Sequence, residues 1–158
     1  MDSQEALGRV RQWLSEEGIA IEEPGAPAML WQLRLKDSQL VTYIQQPSAA
    51  PDKIAIGGAL VIDDATRRRI AKLDARARAD LLWTIRMDLL RSHVHFQIQG
   101  APLERVLFET SVYFDGLTKD RLMRRWHQLR SAILLVMWTM NRRFDQPPRL
   151  VPVSDAVN

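Results

Sequence analysis

Val112-Tyr113-Phe114-Asp115-Gly116-Leu117-Thr118-Lys119-Asp120-Arg121-Leu122-Met123 is the stretch on which the fold turns. Upstream, from Glu104 to Phe114, Val106, Phe108, Val112 and Phe114 share one side of an extended segment, the period-two pattern of a strand with one buried face. Asp115-Gly116 is turn chemistry and ends it. Thr118 can cap a helix, and Asp120 in the first turn suits the positive end of the helix dipole. From there Leu122, Trp126, Leu129, Ile133, Val136 and Met140 recur at four- and three-residue intervals, which predicts a helix to about Arg143. A long strand thus feeds directly into a long amphipathic helix.

Working back from this junction, the same two periods alternate. His93, His95, Gln97 and Gln99 interleave with Val94, Phe96 and Ile98, a strand with one polar face, and Gly100-Ala101-Pro102 turns it into the next. Asp74 can cap a helix to about Arg91, with Leu82, Ile85 and Leu89 on one face. Trp83, Met87 and Leu90 form a second stripe, which predicts a widely covered helix. A short helix over 66–73, capped by Asp63-Asp64, precedes it. Lys53 to Ile62 is apolar at nearly every position, the pattern of a strand covered on both faces, and Gly57-Gly58 marks a bulge or a close backbone approach. Met29 to Lys36 and Leu40 to Gln45 alternate across the turn residues Asp37-Ser38, a hairpin. Residues 3–17 carry Leu7, Val10 and Leu14 at helical spacing and end at Gly18. The expectation is one α+β domain over 1–146, an antiparallel five-stranded sheet with three main helices packed against it in the order α-β-β-β-α-β-β-α, followed by a proline-rich tail over 147–158.

Composition narrows the chemistry. With 158 residues there is interior enough for one core, and with no cysteine there is no disulfide, thiolate nucleophile or zinc–thiolate site. The N-terminus lacks the charged stub and apolar core of a secretion signal, and no apolar run approaches a membrane span. A cytoplasmic protein that does not enter a membrane is expected. The net charge of +3 conceals a division: residues 1–64 hold ten acidic and five basic side chains, residues 65–158 nine acidic and seventeen basic.

Each candidate for catalysis meets a plainer structural role. His93 and His95, two apart on a strand, have a usable metal-ligand spacing, but no third ligand stands near them in sequence. Asp63-Asp64 are paired carboxylates at a helix start, where capping accounts for them. Ser92 beside His93 is adjacency, not triad geometry. Gly57-Gly58 does not open onto a helix N-terminus, as a phosphate-binding loop must. No catalytic, cofactor or metal site is expected, and so no enzyme.

The last helix leaves a surplus. Leu134, Leu135, Met137 and Trp138 fall outside its main stripe, so its second half is apolar almost all round. Either the chain's own N-terminal helix covers it or a protein partner does. Ile133, Leu134, Met137 and Trp138, with the basic Arg121, Arg124 and Arg125, form the expected partner-binding set. The leading expectation is a non-enzymatic protein-interaction or chaperone-like module, a homodimer, that binds through the apolar second half of the last helix or an exposed sheet face. The alternative is nucleic-acid binding through the Arg-rich helices over 66–91 and 119–143.

The runs Trp13-Leu14 through Gly18, Gln46-Pro47, Ile54 to Ile62 and, most specifically, Val112 to Met123 resemble an uncharacterised prokaryotic family known only as a domain of unknown function. The order of elements resembles the type III secretion chaperone-like fold that this family shares. The resemblance implies a fold; the secretion chaperones that have it are typically small acidic homodimers, whereas this chain is basic.

Overall fold

A computed structural model describes residues 1–36 and 40–144. The hairpin turn expected at Asp37-Ser38 and the expected tail lie outside them. Helix α1 (Ser3–Glu16) starts where the Asp2 carboxylate accepts from the Glu5 amide. It stops at Gly18, whose φ of 68° lets Gly18 and Ile19 donate to Ser15 and Leu14 carbonyls. After α1 come β1 (Ala20–Glu22), β2 (Met29–Lys36), β3 (Val41–Pro47) and β4 (Lys53–Val61). Two helices follow, α2 (Asp64–Lys72) and α3 (Ala75–Arg91), then β5 (His95–Gln99), β6 (Arg105–Tyr113), a 3-10 turn over Phe114–Gly116, and α4 (Lys119–Phe144).

The fold is α+β with one antiparallel sheet, in the spatial order β1-β2-β3-β4-β6-β5. Among the described residues the sheet has six strands, not five. The added one, β1, is three residues long, and its pairing with β2 is held by Lys36 and Arg34 on Glu22. Such a segment has no alternation to read. The short helix is also an element in its own right, so α2 and α3 make four α-helices in all among the described residues.

Alternation decides which face is covered. Trp31, Leu33, Leu35, Thr42, Ile44, Ile56, Val106, Phe108 and Val112 all point to one side and are buried. On the other side Gln32, Arg34, Tyr43, Gln45, His95, Gln97 and Glu109 reach solvent. Strand β4 is covered on both faces only over Ile54–Ile56; from Gly57 onward it is half-buried, and Val61 is exposed. Its glycines mean different things. No bulge interrupts the β4–β6 register. Gly58 faces α4, where a Cβ would lie 2.9 Å from Ile133 Cδ1, whereas Gly57 lies on the open face. Close approach is therefore the role of Gly58.

Helix α4 crosses the covered face. Trp126 Nε1 donates to Thr42 Oγ1 on β3 at 2.9 Å, a hydrogen bond sealed in the core. Gln46, the other buried polar group of β3, accepts from Ser3 and donates to the Pro51 carbonyl. Helix α3 runs antiparallel to α4: Ala77 and Asp80 share a groove with Arg142, while Ser92, past its other end, lies beside Ser131 and Ala132.

Candidate interaction surface

Helix α4 begins as its sequence requires, with Thr118 Oγ1 accepting from the Arg121 amide at 3.2 Å, and ends with Arg142 and Arg143 against the negative end of its dipole. Along it the expected partner-binding set divides in two. Ile133 and Met137 are buried against the chain's own core, so neither is available to a partner. Their positions on the α4 face that packs on β4 explain this, Ile133 being the side chain that Gly58 accommodates. Leu134 and Leu135 are half-buried, and Trp138 is 58% exposed. With Ser92, Ser131 and Ala132 these three line an apolar pocket of about 260 Å³. The surplus noted in the sequence is thus partly core and partly surface.

Helix α3 carries a stripe that was expected to be covered and is not. Trp83 and Leu90 are 64% and 61% exposed, and Met87 between them is half-buried. Leu81, Ile85 and Leu89 face inward instead. The displaced register had one visible signal: Arg86 and Arg91 flank Trp83–Leu90 on the same side of the helix, as befits a face meeting water.

The three arginines are held locally. Arg121 lies over Gly116, whose carbonyl it reaches at 3.5 Å; Arg124 pairs with Asp120 at 2.6 Å; Arg125 donates to Gln128 at 3.2 Å. Arg130 sits over the Trp126 ring at 5.0 Å. Elsewhere Arg67 bridges Asp64 and Glu104, and Arg78 donates to the Leu73 carbonyl. Lys119 binds Glu16 and Glu17, joining the basic half of the chain to the acidic half. Hydrogen bonding by Glu17 and then Glu16 raises the Lys119 ammonium above its ordinary pKa, and Lys119 lowers Glu16.

The catalytic candidates stay apart. His93 is not on the strand: it occupies the turn before β5 with φ 55°, which breaks the alternation that would have aligned it with His95. Among the described residues, no group of three or more histidine, aspartate or glutamate side chains is placed to hold a metal ion. Asp63 caps α2, accepting from the Thr66 amide and hydroxyl; burial opposes its charge, but these bonds outweigh it and lower its pKa. Asp64 lies in the first turn and pairs with Arg67. The Ser92 hydroxyl donates to the Leu89 carbonyl, a helix-end contact. Among the described residues, no helix is long and apolar enough to cross a membrane.

Comparison with known proteins places this architecture. No curated protein matches the chain. The crystal structure of an uncharacterised protein from Methanothermobacter thermautotrophicus superposes with a TM-score of 0.84 at 29% identity, over 88% of this chain and 99% of that one. YbjN from E. coli, a candidate transcription regulator, superposes with a TM-score of 0.51 at 16% identity, over 88% of this chain and 92% of that one, a likeness of fold alone. The family described as Uncharacterized conserved protein (DUF2299) matches residues 6–140. From Ala6 on α1 to Met140 on α4 that match takes in every strand of the sheet, and the chain belongs to this uncharacterised family.

Proposed function

We propose that the protein is a non-enzymatic interaction module, chaperone-like in the sense that it offers an apolar surface to another polypeptide, and that its first partner is a second copy of itself. The observation that carries this is Trp138, more than half exposed beside the pocket formed with Leu134 and Leu135. Tryptophan in such a setting is the residue type most often found at the energetic centre of an interface. With the edge strand β1 and the short helix α2 set aside, the order of the remaining elements supports a likeness to the type III secretion chaperone-like fold, and a cytoplasmic site of action is part of the same reading. Light scattering over a range of concentrations tests it. The wild type should move from monomer toward dimer and Trp138→Asp should remain monomeric; a wild type that is monomeric throughout would refute self-association.

A second reading, nucleic-acid binding through helices 66–91 and 119–143, is favoured by the exposed Arg68, Arg76 and Arg86 on α2 and α3. Each phosphate neutralised would add about 0.9 to the slope of log affinity against log salt on duplex DNA. Absence of binding at low salt removes it.

A further inference from the structure

The outer side of α4 has a pattern of its own. Asp120, Arg124, His127, Ser131, Trp138 and Arg142 are all exposed and follow one another along one stripe. It lies opposite the stripe of Leu122, Leu129, Ile133 and Val136 that packs on the core. The outer stripe holds both a hole and a knob. Asp120, Arg124, His127, Gln128 and Ser131 rim an open groove of about 490 Å³, with the buried Met123 at its floor. An apolar cavity of about 150 Å³ accepts a benzene ring, so this groove has room for an indole. Trp138 is the knob, and it lies farther along the same helix.

Knob and hole on one straight helix cannot meet within one chain. They meet between two copies when the helices run antiparallel. Trp138 lies seven residues after Ser131 and Arg124 seven before it; Arg142 lies eleven after and Asp120 eleven before. A twofold axis at Ser131 therefore sets Trp138 of one copy over Arg124 of the other, about 10 Å from the axis, and Arg142 beside Asp120, about 16 Å from it. Both contacts are favourable. A guanidinium suits an indole face. The Asp120 carboxylate pairs with Arg124 at 2.6 Å and has lone pairs for a second guanidinium. His127 and Gln128 of each copy come over the Leu134–Leu135 pocket of the other, so both grooves are covered at once. Ser131 is small enough at the crossing to let the helices approach. Parallel pairing would instead set Arg124 on Arg124, Asp120 on Asp120 and Arg142 on Arg142, which like charges oppose.

We propose that two copies of this chain pair through antiparallel α4 helices about a twofold axis at Ser131, each seating Trp138 in the Arg124–Ser131 groove of the other and joining its Arg142 to the other's Asp120. The proposal gives the self-association assigned above its register, and it rests on that reading. The axis falls near the middle of Lys119–Phe144, so the helices overlap along their whole length. Such a contact covers about 400 Å² per copy, roughly half of a standard interface, which makes the dimer a weak one that dissociates between millimolar and micromolar concentration.

The chain has no cysteine, so Ser131→Cys alone reports the axis. Under mild oxidation it should give a disulfide-linked dimer, and Ser131→Cys/Trp138→Asp should cross-link far more slowly. Asp120→Arg and Arg142→Asp should each raise the dimer dissociation constant about tenfold, since the twofold repeats the pair. Asp120→Arg/Arg142→Asp should return it to within about threefold of the wild type. Cross-linking at Leu135→Cys or Leu90→Cys but not at Ser131→Cys overturns the proposal, assigning the contact to α4 shifted by a turn or to α3. So do charge reversals whose effects add in the double variant. Those results leave the self-association standing. A wild type that stays monomeric at millimolar concentration refutes the self-association itself, and the register with it.

Discussion

Replacing Gly58 by alanine should destabilise the protein, while the same change at Gly57, one residue earlier on the same strand, should stabilise it. Neither glycine has a positive φ, so alanine fits the backbone at both. At both sites the unfolded chain loses freedom, which contributes about 0.4–1 kcal/mol in favour of folding. At Gly57 the added Cβ meets only the Phe108 carbonyl oxygen, at 3.6 Å, an ordinary contact. At Gly58 it lies 2.9 Å from Ile133 Cδ1, 3.4 Å from Leu129 Cδ2 and 3.5 Å from Thr42 Cγ2. The Ile133 terminus must move within a filled core, and overpacking of this kind costs about 1–3 kcal/mol. The net expectation for Gly58→Ala is a loss of about 1–2 kcal/mol. At this chain length each kcal/mol moves Tm by about 2–4 °C, so the two variants should shift in opposite directions. Thermal and urea denaturation measure this. Ile133→Val removes the clashing methyl, so the pair should couple favourably by at least about 0.5 kcal/mol in a double-mutant cycle. If Gly58→Ala stabilises as Gly57→Ala does, or shows no coupling to Ile133→Val, then α4 does not pack on β4 as described.

Ile133→Asp and Trp138→Asp, five residues apart on α4, should part company: the first buries a charge and unfolds the protein by urea titration, while the second leaves the midpoint nearly unchanged. Trp126→Phe removes the donor to Thr42 Oγ1 and should cost about 1–3 kcal/mol by chemical denaturation, because the Thr42 hydroxyl stays buried. Asp63→Ala should cost about 1 kcal/mol at neutral pH through loss of the α2 cap. The Asp63 carboxylate has a lowered pKa in the folded state, so its contribution is present above the unfolded carboxylate range and is lost as pH falls through the folded value. The stability difference between wild type and Asp63→Ala should therefore shrink in acid; a difference that persists there would assign the cost to something other than the charged cap.

Elements with a strong period were legible in the sequence because burial imposes that period. The alternation of Val106, Phe108 and Val112, and the spacing of Leu122, Trp126, Leu129 and Ile133, each report a face packed on the core. Strand β1 was not legible, since three residues on an edge are fixed by pairing with Lys36 and Arg34 rather than by a pattern of their own. His93 looked like a strand residue because its neighbours alternate, but its positive φ is imposed by the turn out of α3. At the candidate surface the sequence shows that α4 has more apolar residues than one face can bury. It does not show which of them are surplus. The sheet beneath takes Ile133 and Met137, leaving Leu134, Leu135 and Trp138, and that division depends on how α4 is rotated over β4 and β6. The exposure of Trp83 and Leu90 is hidden for the same reason: α3 carries two apolar stripes, and only packing against α4 selects the one with Leu81, Ile85 and Leu89.

The most direct test of the surface assigned to α4 is a dilution series followed by backbone amide signals, from millimolar to micromolar protein. Signals that move should cluster at Ser92, Ser131, Leu134, Leu135 and Trp138, and they should stand still in Trp138→Asp. Concentration-dependent shifts confined to the open sheet face around Tyr43 and Glu109, or to the edge strand β5, would contradict the account.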